Sequence, residues 1–455
     1  MKKYAIVGVG HRSYMYLGAL VGEHAADGEL VGLCDSNPGR LDAAIAYIGR
    51  PVPRFAPDAF ETMLAETGTE RVIVTVPDNI HAEYIVRALE FGCDVITEKP
   101  LTMDAVSIGR IAEARRRTGR AVIVGFNYRY SPVRTLLKQV LMSGIIGHVQ
   151  SATFEWLLDT HHGADYFRRW HRTKANSGGL FVHKATHHFD LLNWWLGTTA
   201  RRVTARGRRV FYLPEIGDAL GFEGRGERCT GCPVFARCGF RLDIPSSRHL
   251  TSLYAETEQH DGYLRDKCVF SADIDIEDSM NAVIDYQNGV VVNYTLTAYN
   301  PCEGYRVVFD GTRGRAELLN VERPYVQPDG RLVCPALPET NRITVQPHFA
   351  RSYQLALPPS DGTHGGGDSV MLRRLFRDAS NDQYGHVADD RAGAWSALVG
   401  IAANASLATG MPVDLATLAA DVPTPDYAPE PFGPQAIWRE FDPARYAFLD
   451  GATIM

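Results

Sequence analysis

The fold is decided by the N-terminal stretch of residues 1–13, which reads MKKYAIVGVGHRS. An apolar run ends at Gly8-Val9-Gly10, and a helical pattern follows it. Glycines at this point permit a tight turn and let backbone N–H groups approach a pyrophosphate at the N-terminus of the next helix. The third glycine of the usual fingerprint is replaced by Ser13, another small residue. We therefore expect a dinucleotide-binding βαβ unit whose loop places these residues near the cofactor: Gly8, Gly10, His11, Arg12 and Ser13.

Outward from this stretch, the first 125 residues alternate short apolar runs with amphipathic segments. The apolar runs are Tyr4–Val9, Leu30–Cys34, Val72–Val76, Val95–Thr97 and Ala121–Val124. The segments between them, such as Asn79–Phe91 and Met103–Thr118, have the length of helices. Strands that alternate with helices in this way predict an α/β domain over residues 1–125, with a doubly wound, Rossmann-type parallel sheet.

After residue 125 the pattern changes to that of an α+β domain. Two alternating runs, Met280–Gln287 and Val290–Ala298, flank Asn288-Gly289, which is a strong hairpin signal. We predict a mostly antiparallel open sheet within residues 126–455, covered on one face by helices at Leu180–Leu196 and Arg391–Thr409. Residues 208–275 are predicted to form an insertion with little periodicity, and residues 422–455 a tail that wraps the surface.

Composition excludes several classes of protein. The 455 residues are 45% hydrophobic and 22% charged, and 47 Lys+Arg against 53 Asp+Glu give a formal charge of −6. This mild acidity argues against a nucleic-acid or anionic-membrane partner. No apolar run approaches the about 20 residues of a membrane span. The N-terminal run lacks the features of a secretory signal, so we expect a cytoplasmic protein.

The ends of the other predicted strands complete the cofactor site. Asp35 follows the second strand, where a carboxylate accepts hydrogen bonds from a ribose diol and repels a 2′-phosphate. NAD is therefore favoured over NADP, although Arg40 is placed to bind such a phosphate. Two more loops at strand ends supply further candidate residues, namely Pro77, Asn79, His81, Glu98 and Lys99. The purely structural alternatives are a simple turn for the glycines, a cap of the following turn for Asp35 and a surface charge for Lys99.

Together with Gly125-Phe126-Asn127-Tyr128-Arg129, these motifs resemble the Gfo/Idh/MocA family of nicotinamide-dependent oxidoreductases. Glu98-Lys99-Pro100-Leu101 is the most specific of them. The resemblance implies that Lys99 lies near the nicotinamide and the reacting hydroxyl, and it adds Asn127 to the cofactor residues. It also implies oxidation or reduction of a secondary hydroxyl of a sugar, inositol or glycoside by a homodimer or homotetramer.

The family's second motif places an Asp and a His four residues apart, followed by another Asp. The matching stretch, residues 178–190, reads GGLFVHKATHHFD. His187 falls on the family's His, whereas His183 stands where the family has Asp, so the base is left open between Lys99 and His187. Both histidines share one helical face, and an imidazole near neutrality suits removal of an alcohol proton. Packed interface histidines and a metal-binding pair are the alternative interpretations.

Just upstream, residues 159–172 mix charged and aromatic side chains in the sequence DTHHGADYFRRWHR. Such a loop suits a polyhydroxylated substrate, and its arginines alternatively suit an acidic group, which they bind bidentately. The candidate substrate-binding residues are Lys99, Arg129, His162, Tyr166, Arg169, His183, Lys184 and His187.

Four cysteines lie in the predicted insertion, namely Cys229, Cys232, Cys238 and Cys268. Two cysteines separated by two residues, with further cysteines downstream, match the spacing of a structural zinc site, and a metal ion would order a segment that is poor in core residues. Free thiols, an iron–sulfur cluster and disulfides are the alternatives, and a reducing cytoplasm disfavours disulfides.

Together these features predict an NAD-dependent dehydrogenase in which Lys99 and His187 handle the hydroxyl proton and His183 supports or orients the substrate. The first alternative is an NAD-dependent glycoside hydrolase, which oxidises a sugar hydroxyl transiently and eliminates the glycosidic bond. The second is a non-catalytic dinucleotide sensor.

Overall fold

The computed structural model describes residues 1–327, 332–333, 341–358, 363–377, 382–419, 421–428 and 453–454. It confirms the predicted architecture, in which a Rossmann-type parallel sheet precedes a domain with a mostly antiparallel sheet. The predicted tail over residues 422–455 lies largely outside the described residues. In the described part of the chain, no helix combines the length and the apolar character that crossing a membrane requires.

The first domain is built on a seven-stranded sheet. Its elements are β1 (Lys2–Val7), α1 (Ser13–Val21), β2 (Gly28–Cys34), α2 (Pro38–Ile48), β3 (Arg54–Phe55), α3 (Phe60–Thr67), β4 (Arg71–Val74), α4 (His81–Phe91), β5 (Asp94–Thr97), α5 (Ala105–Thr118) and β6 (Val122–Val124). The strands run parallel in the order β6-β5-β4-β1-β2-β3, and a short strand of the second domain pairs antiparallel with β6. The carboxyl ends of β1, β4 and β5 therefore meet at one edge.

One strand end and one helix start differ from the prediction because of local backbone geometry. Strand β1 ends at Val7 because Gly8 has a φ of +84°, and a Cβ at this position would lie 2.6 Å from the backbone nitrogen of Val76. Only glycine adopts this turn against the loop after β4 without a clash. Helix α4 begins at His81 after a single turn over Asp78–Ile80, which leaves Asp78 in the loop at the sheet edge.

The second domain carries the other elements that the structure describes. Its helices are α6 (Pro132–Ser143), α7 (His162–Arg168), α8 (Lys174–Ser177), α9 (Leu180–His183), α10 (Ala185–Leu196), α11 (Pro214–Ala219), α12 (Arg248–Leu250), α13 (Glu258–Asp261), α14 (Gly367–Phe376) and α15 (Asp390–Thr409). Its strands are β7 (Val149–Asp159), β8 (Ala200–Arg208), β9 (Ser279–Tyr286), β10 (Val291–Asn300), β11 (Glu303–Gly311), β12 (Gly314–Arg323), β13 (Tyr325–Val326), β14 (Leu332–Val333), β15 (Arg342–Pro347), β16 (Tyr353–Leu355), β17 (Ala388–Asp389), β18 (Val413–Asp414) and β19 (Thr453–Ile454).

Ten of these strands form one sheet in the order β18-β8-β9-β10-β7-β11-β12-β15-β16-β19. Strands β7 and β10 pair in parallel, and the other neighbours in this sheet pair antiparallel. The predicted hairpin joins β9 to β10, with Gly289 at a φ of +90°. The predicted helix over Leu180–Leu196 is interrupted at Lys184, which separates α9 from α10.

Candidate active site

A cleft of about 800 Å³ lies between the two domains, along the carboxyl edge of the first sheet. Its walls come from the loops after β1, β2, β4 and β5 on one side and from α7, α9 and α10 on the other. The predicted site residues that line it are Gly8, Gly10, His11, Arg12, Asp35, Arg40, Pro77, Asn79, His81, Glu98, Lys99, Asn127, His162, Tyr166, Arg169, His183, Lys184 and His187.

The structure does not bring Ser13 and Arg129 to this cleft. The Ser13 hydroxyl donates to the carbonyl oxygen of Gly10 at 2.8 Å, so the residue in the third glycine position fixes the turn from within. The guanidinium of Arg129 is buried and donates to both carboxylate oxygens of Asp190, at 2.7 and 2.5 Å. A buried carboxylate requires such a partner, which explains why Arg129 faces the core instead of a substrate.

The glycine loop and Asp35 fit a dinucleotide. At Gly10 the backbone is open, since the nearest atom to an added Cβ is the hydroxyl of Tyr254 at 3.8 Å. The carboxylate oxygens of Asp35 accept from the backbone nitrogens of Val9 at 2.5 Å and Asn37 at 2.7 Å. These bonds fix the carboxylate at the strand end and leave lone pairs for a ribose diol.

The insertion packs against this cofactor end of the cleft. The Tyr254 hydroxyl accepts from the backbone nitrogen of His11 at 3.1 Å, and Asn37 donates its side-chain amide to the carbonyl oxygen of Thr257 at 3.0 Å. Arg40 forms an ion pair with Asp261 at 2.7 Å. Tyr254 and Asp261 both line the cleft, although the sequence pattern of the insertion gives no sign of this role.

Lys99 is joined to a carboxylate of its own domain through a histidine of the other domain. Its Nζ lies 3.1 Å from His183 Nε2 and donates to the His183 carbonyl oxygen at 3.0 Å. The other ring nitrogen, Nδ1, lies 2.5 Å from Asp78 Oδ2. Both ring contacts are hydrogen bonds when the Lys99 ammonium donates to Nε2 and His183 donates its Nδ1–H to Asp78.

The interruption at Lys184 makes the carbonyl contact available. In a continuous α-helix the His183 carbonyl would accept from the backbone nitrogen of His187. That nitrogen instead donates to the Lys184 carbonyl at 3.2 Å. The His183 carbonyl is thereby free to accept from Lys99, so the break in the helix serves the contact between the two domains.

Burial sets the protonation of this chain of residues. Desolvation lowers the pKa of Lys99 to about 8, while the charge of Asp78 acts in the opposite direction. Burial raises the pKa of Asp78 and lowers the pKa of His183. A lysine with a pKa near 8 exchanges a proton readily close to neutral pH, as a general acid or base must.

His187 lies next to the hydrogen bonds among Lys99, His183 and Asp78 but forms none of them. Its ring stacks on Tyr128 at a centroid distance of 4.2 Å, and its Nδ1 has no hydrogen-bond partner among the described residues. Burial lowers the pKa of His187 well below its ordinary value, so the imidazole is neutral. The residue lines the cleft, so its neutral imidazole forms part of the wall that faces a ligand.

Comparison with known proteins identifies the family. The NAD-binding Rossmann fold of an oxidoreductase family matches residues 2–126, and the C-terminal alpha/beta domain of the same family matches residues 138–415. The chain belongs to the Gfo/Idh/MocA oxidoreductase family. It is 35% identical over 433 residues to YteT of Bacillus subtilis (strain 168), covering 92% of this chain and 99% of YteT.

Two more distantly similar proteins have names that state an activity. The chain is 28% identical over 221 residues to an inositol 2-dehydrogenase of Rhizobium meliloti (strain 1021), covering 49% of this chain and 62% of that protein. The structure of the WlbA dehydrogenase from Bordetella pertussis, in complex with NADH and UDP-GlcNAcA, aligns with a TM-score of 0.60 at 18% identity and covers 91% of this chain and 98% of that one. The latter likeness shows the shared fold.

Asp78, like Tyr254 and Asp261, lines the cleft but is absent from the predicted site residues. The Gfo/Idh/MocA motif indicated that a carboxylate was lacking where His183 stands. The structure shows that a carboxylate nevertheless reaches this position, from the loop after β4 in the other domain. The available signal was the place of Asp78 within the Pro77–His81 loop, at the edge where doubly wound sheets bind ligands.

The structure does not support the predicted zinc site. All four cysteines of the insertion border one small cavity: Cys229, Cys232, Cys238 and Cys268. Among the residues that the structure describes, however, no three His, Cys, Asp or Glu side chains are arranged to hold a metal ion. The four cysteines are free thiols, and burial raises the pKa of Cys229 and Cys238.

Proposed function

We propose that this protein is an NAD-dependent dehydrogenase that oxidises or reduces a secondary hydroxyl of a sugar, inositol or glycoside. The observation that carries the proposal is the connection of Lys99 to Asp78 through His183, in the wall of a cleft that also contains the glycine loop. Membership of the Gfo/Idh/MocA family supports the same chemistry, as does the likeness to an inositol 2-dehydrogenase.

The protein residues supply the proton chemistry. The glycine loop and Asp35 would hold NAD, which would supply the acceptor for the hydride that leaves the carbon carrying the hydroxyl. Lys99, in its amine form, removes the hydroxyl proton, and the resulting ammonium donates to the Nε2 and the carbonyl of His183. Asp78 orients His183 and stabilises the positive charge on Lys99. The neutral His187, which also lines the cleft, forms a hydrogen bond with the same hydroxyl and orients it for proton transfer to Lys99.

A screen of NAD reduction over monosaccharides, inositols and glycosides tests this function. Net formation of NADH with at least one of them is the expected result. Glycoside cleavage that needs only catalytic NAD, without net NADH, would replace the proposal by the hydrolase alternative. Dinucleotide binding with no turnover on any compound, and no effect of replacing Lys99, would favour the sensor.

The pH dependence of the reaction tests the role of Asp78. Because Lys99 must be deprotonated to act as a base, kcat/KM for oxidation should rise with pH and level off above about 8, the pKa of Lys99. The charge of Asp78 stabilises the ammonium, so Asp78→Asn should lower the pKa of Lys99 and move the rising limb to lower pH. A purely structural role for Asp78 would reduce the rate and leave the limb in place.

The choice of NAD over NADP rests on Asp35 and on the pairing of Arg40 with Asp261. Asp35 repels a 2′-phosphate, and Asp261 occupies the guanidinium that would bind one. We expect the double variant Asp35→Ser, Asp261→Asn to raise the affinity for NADPH relative to NADH by about 10- to 100-fold, as expected for one new charged hydrogen bond. Fluorescence titration with both cofactors measures this ratio, and an unchanged ratio would refute the assignment.

A further inference from the structure

Lys184 is a buried cation that faces the cleft without an anionic partner. Only 3% of the residue is exposed, and its Nζ donates to the Tyr128 hydroxyl at 2.7 Å. The ammonium also lies 5.1 Å from the ring centre of Tyr128 and 5.0 Å from that of Trp156. In the described part of the chain, no carboxylate comes within ion-pair distance of it. One neutral hydroxyl and two ring faces thus surround a group with three donors.

The carboxylates of the cleft are already bound elsewhere. Their partners are His183 for Asp78, Arg12 for Glu98, three arginines (Arg168, Arg169 and Arg265) for Asp165, Arg40 for Asp261, and the backbone nitrogens of Val9 and Asn37 for Asp35. Two glutamates outside the cleft lining have charges that act on Lys184. Glu303 is paired with His162 at 2.6 Å and with Arg323 at 2.7 Å, and Glu322 is paired with Arg134 at 2.9 Å. Lys184 is therefore a positive charge at the substrate end of the cleft that is paired with no carboxylate of the described residues.

Such an arrangement is unfavourable unless a ligand completes it. Burial of an ammonium without a counter-ion destabilises a fold, and an apolar side chain would pack better against Tyr128 and Trp156. A lysine at this position is explained when an anionic group occupies the cleft during function. A single ammonium carries one positive charge, which balances a singly charged carboxylate, whereas a phosphate dianion would keep an unbalanced negative charge.

We infer that Lys184 binds a carboxylate of the substrate, and that the substrate is an acidic sugar, such as a uronate or an aldonate. Tyr128 links Lys184 to His187, since its hydroxyl accepts a hydrogen bond from Lys184 and its ring stacks on His187. The carboxylate is thereby held close to the hydroxyl that reacts. This inference rests on the proposed function and specifies the substrate class of the same cleft.

Isothermal titration of the NADH-bound protein tests the inference without turnover. The ligands are matched pairs, glucose with glucuronate and galactose with galacturonate, together with glucose 6-phosphate. We expect each uronate to bind at least about 10-fold more tightly than its neutral partner, as a charged hydrogen bond provides. Equal binding within a pair would overturn the inference, and so would a preference for glucose 6-phosphate over both uronates.

Two variants then assign the preference to Lys184. Lys184→Met should lower the ratio of uronate to neutral-sugar affinity by about 10- to 100-fold, and Lys184→Arg, which keeps the charge, should retain most of it. Damage to the fold would weaken both ligands of a pair and leave the ratio unchanged, which would count against the inference. NAD reduction by neutral sugars alone would overturn it while the proposed function stood. Uronate binding without NAD reduction on any compound would contradict the proposed function instead.

Discussion

Replacing Lys99 by methionine is expected to lower kcat/KM for NAD reduction by about 100- to 10,000-fold, the range that loss of a general acid or base produces. Methionine has a similar length but neither donates nor accepts the hydroxyl proton, and it cannot bond to His183. The glycine loop and Asp35 do not depend on this contact, so affinity for NADH should change little. Steady-state kinetics and fluorescence titration with NADH separate the two effects.

Lys174 offers a matched control for this substitution. It lies in the same domain as His183 and pairs with Glu277, outside the walls of the cleft. Lys174→Met should therefore retain turnover. If Lys99→Met kept its rate within about 10-fold of the natural protein, proton transfer by Lys99 would be wrong, and His187 would be the remaining base of the two that the sequence suggested.

The features that sequence predicted well are those with a local cause. The glycine loop after β1 is set by turn chemistry within a few residues, and Asp35 by its position at a strand end. The break at Lys184 has no local cause, because no glycine or proline lies between Leu180 and Leu196. The break frees the His183 carbonyl for the contact with Lys99, and these two residues are 84 positions apart in the sequence.

Contacts between residues far apart in the sequence explain the other differences between the prediction and the structure. Asp78 lies 105 residues before His183, and the Tyr254 hydroxyl lies 243 residues beyond the His11 nitrogen that donates to it. Neither pair leaves a periodic trace in the sequence, since each depends on how the two domains close. The spacing of the cysteines did indicate that they lie together, but spacing alone does not define the side-chain geometry that a metal ion requires.

Asp190→Asn is expected to destabilise the fold by about 3–5 kcal/mol, the cost of leaving one member of a buried ion pair uncompensated. The side chain of Asp190 is fully buried, and that of Arg129 is nearly so. An amide preserves the shape of the carboxylate but removes its charge, so the guanidinium would stay buried without a counter-ion. A lower urea midpoint, followed by circular dichroism, is the measurement.

Two further variants distinguish this electrostatic cause from a packing defect. Arg129→Met combined with Asp190→Leu removes both charges and should recover much of the lost stability, because apolar residues often replace a buried pair without loss. Asp414→Asn breaks the exposed pair with Arg202 and should leave the midpoint unchanged. If the double variant were no more stable than Asp190→Asn, the uncompensated charge would not be the cause.

The ion pair between Arg129 and Asp190 also fixes the positions of residues in the active site. Arg129 follows Tyr128 in the turn after β6, and Asp190 lies one turn along α10 from His187, whose ring stacks on Tyr128. Loss of the ion pair therefore releases both members of that stack, and with them the hydroxyl that accepts from Lys184. Asp190→Asn should accordingly lose turnover at urea concentrations below its unfolding midpoint, whereas Asp414→Asn should lose activity and structure together.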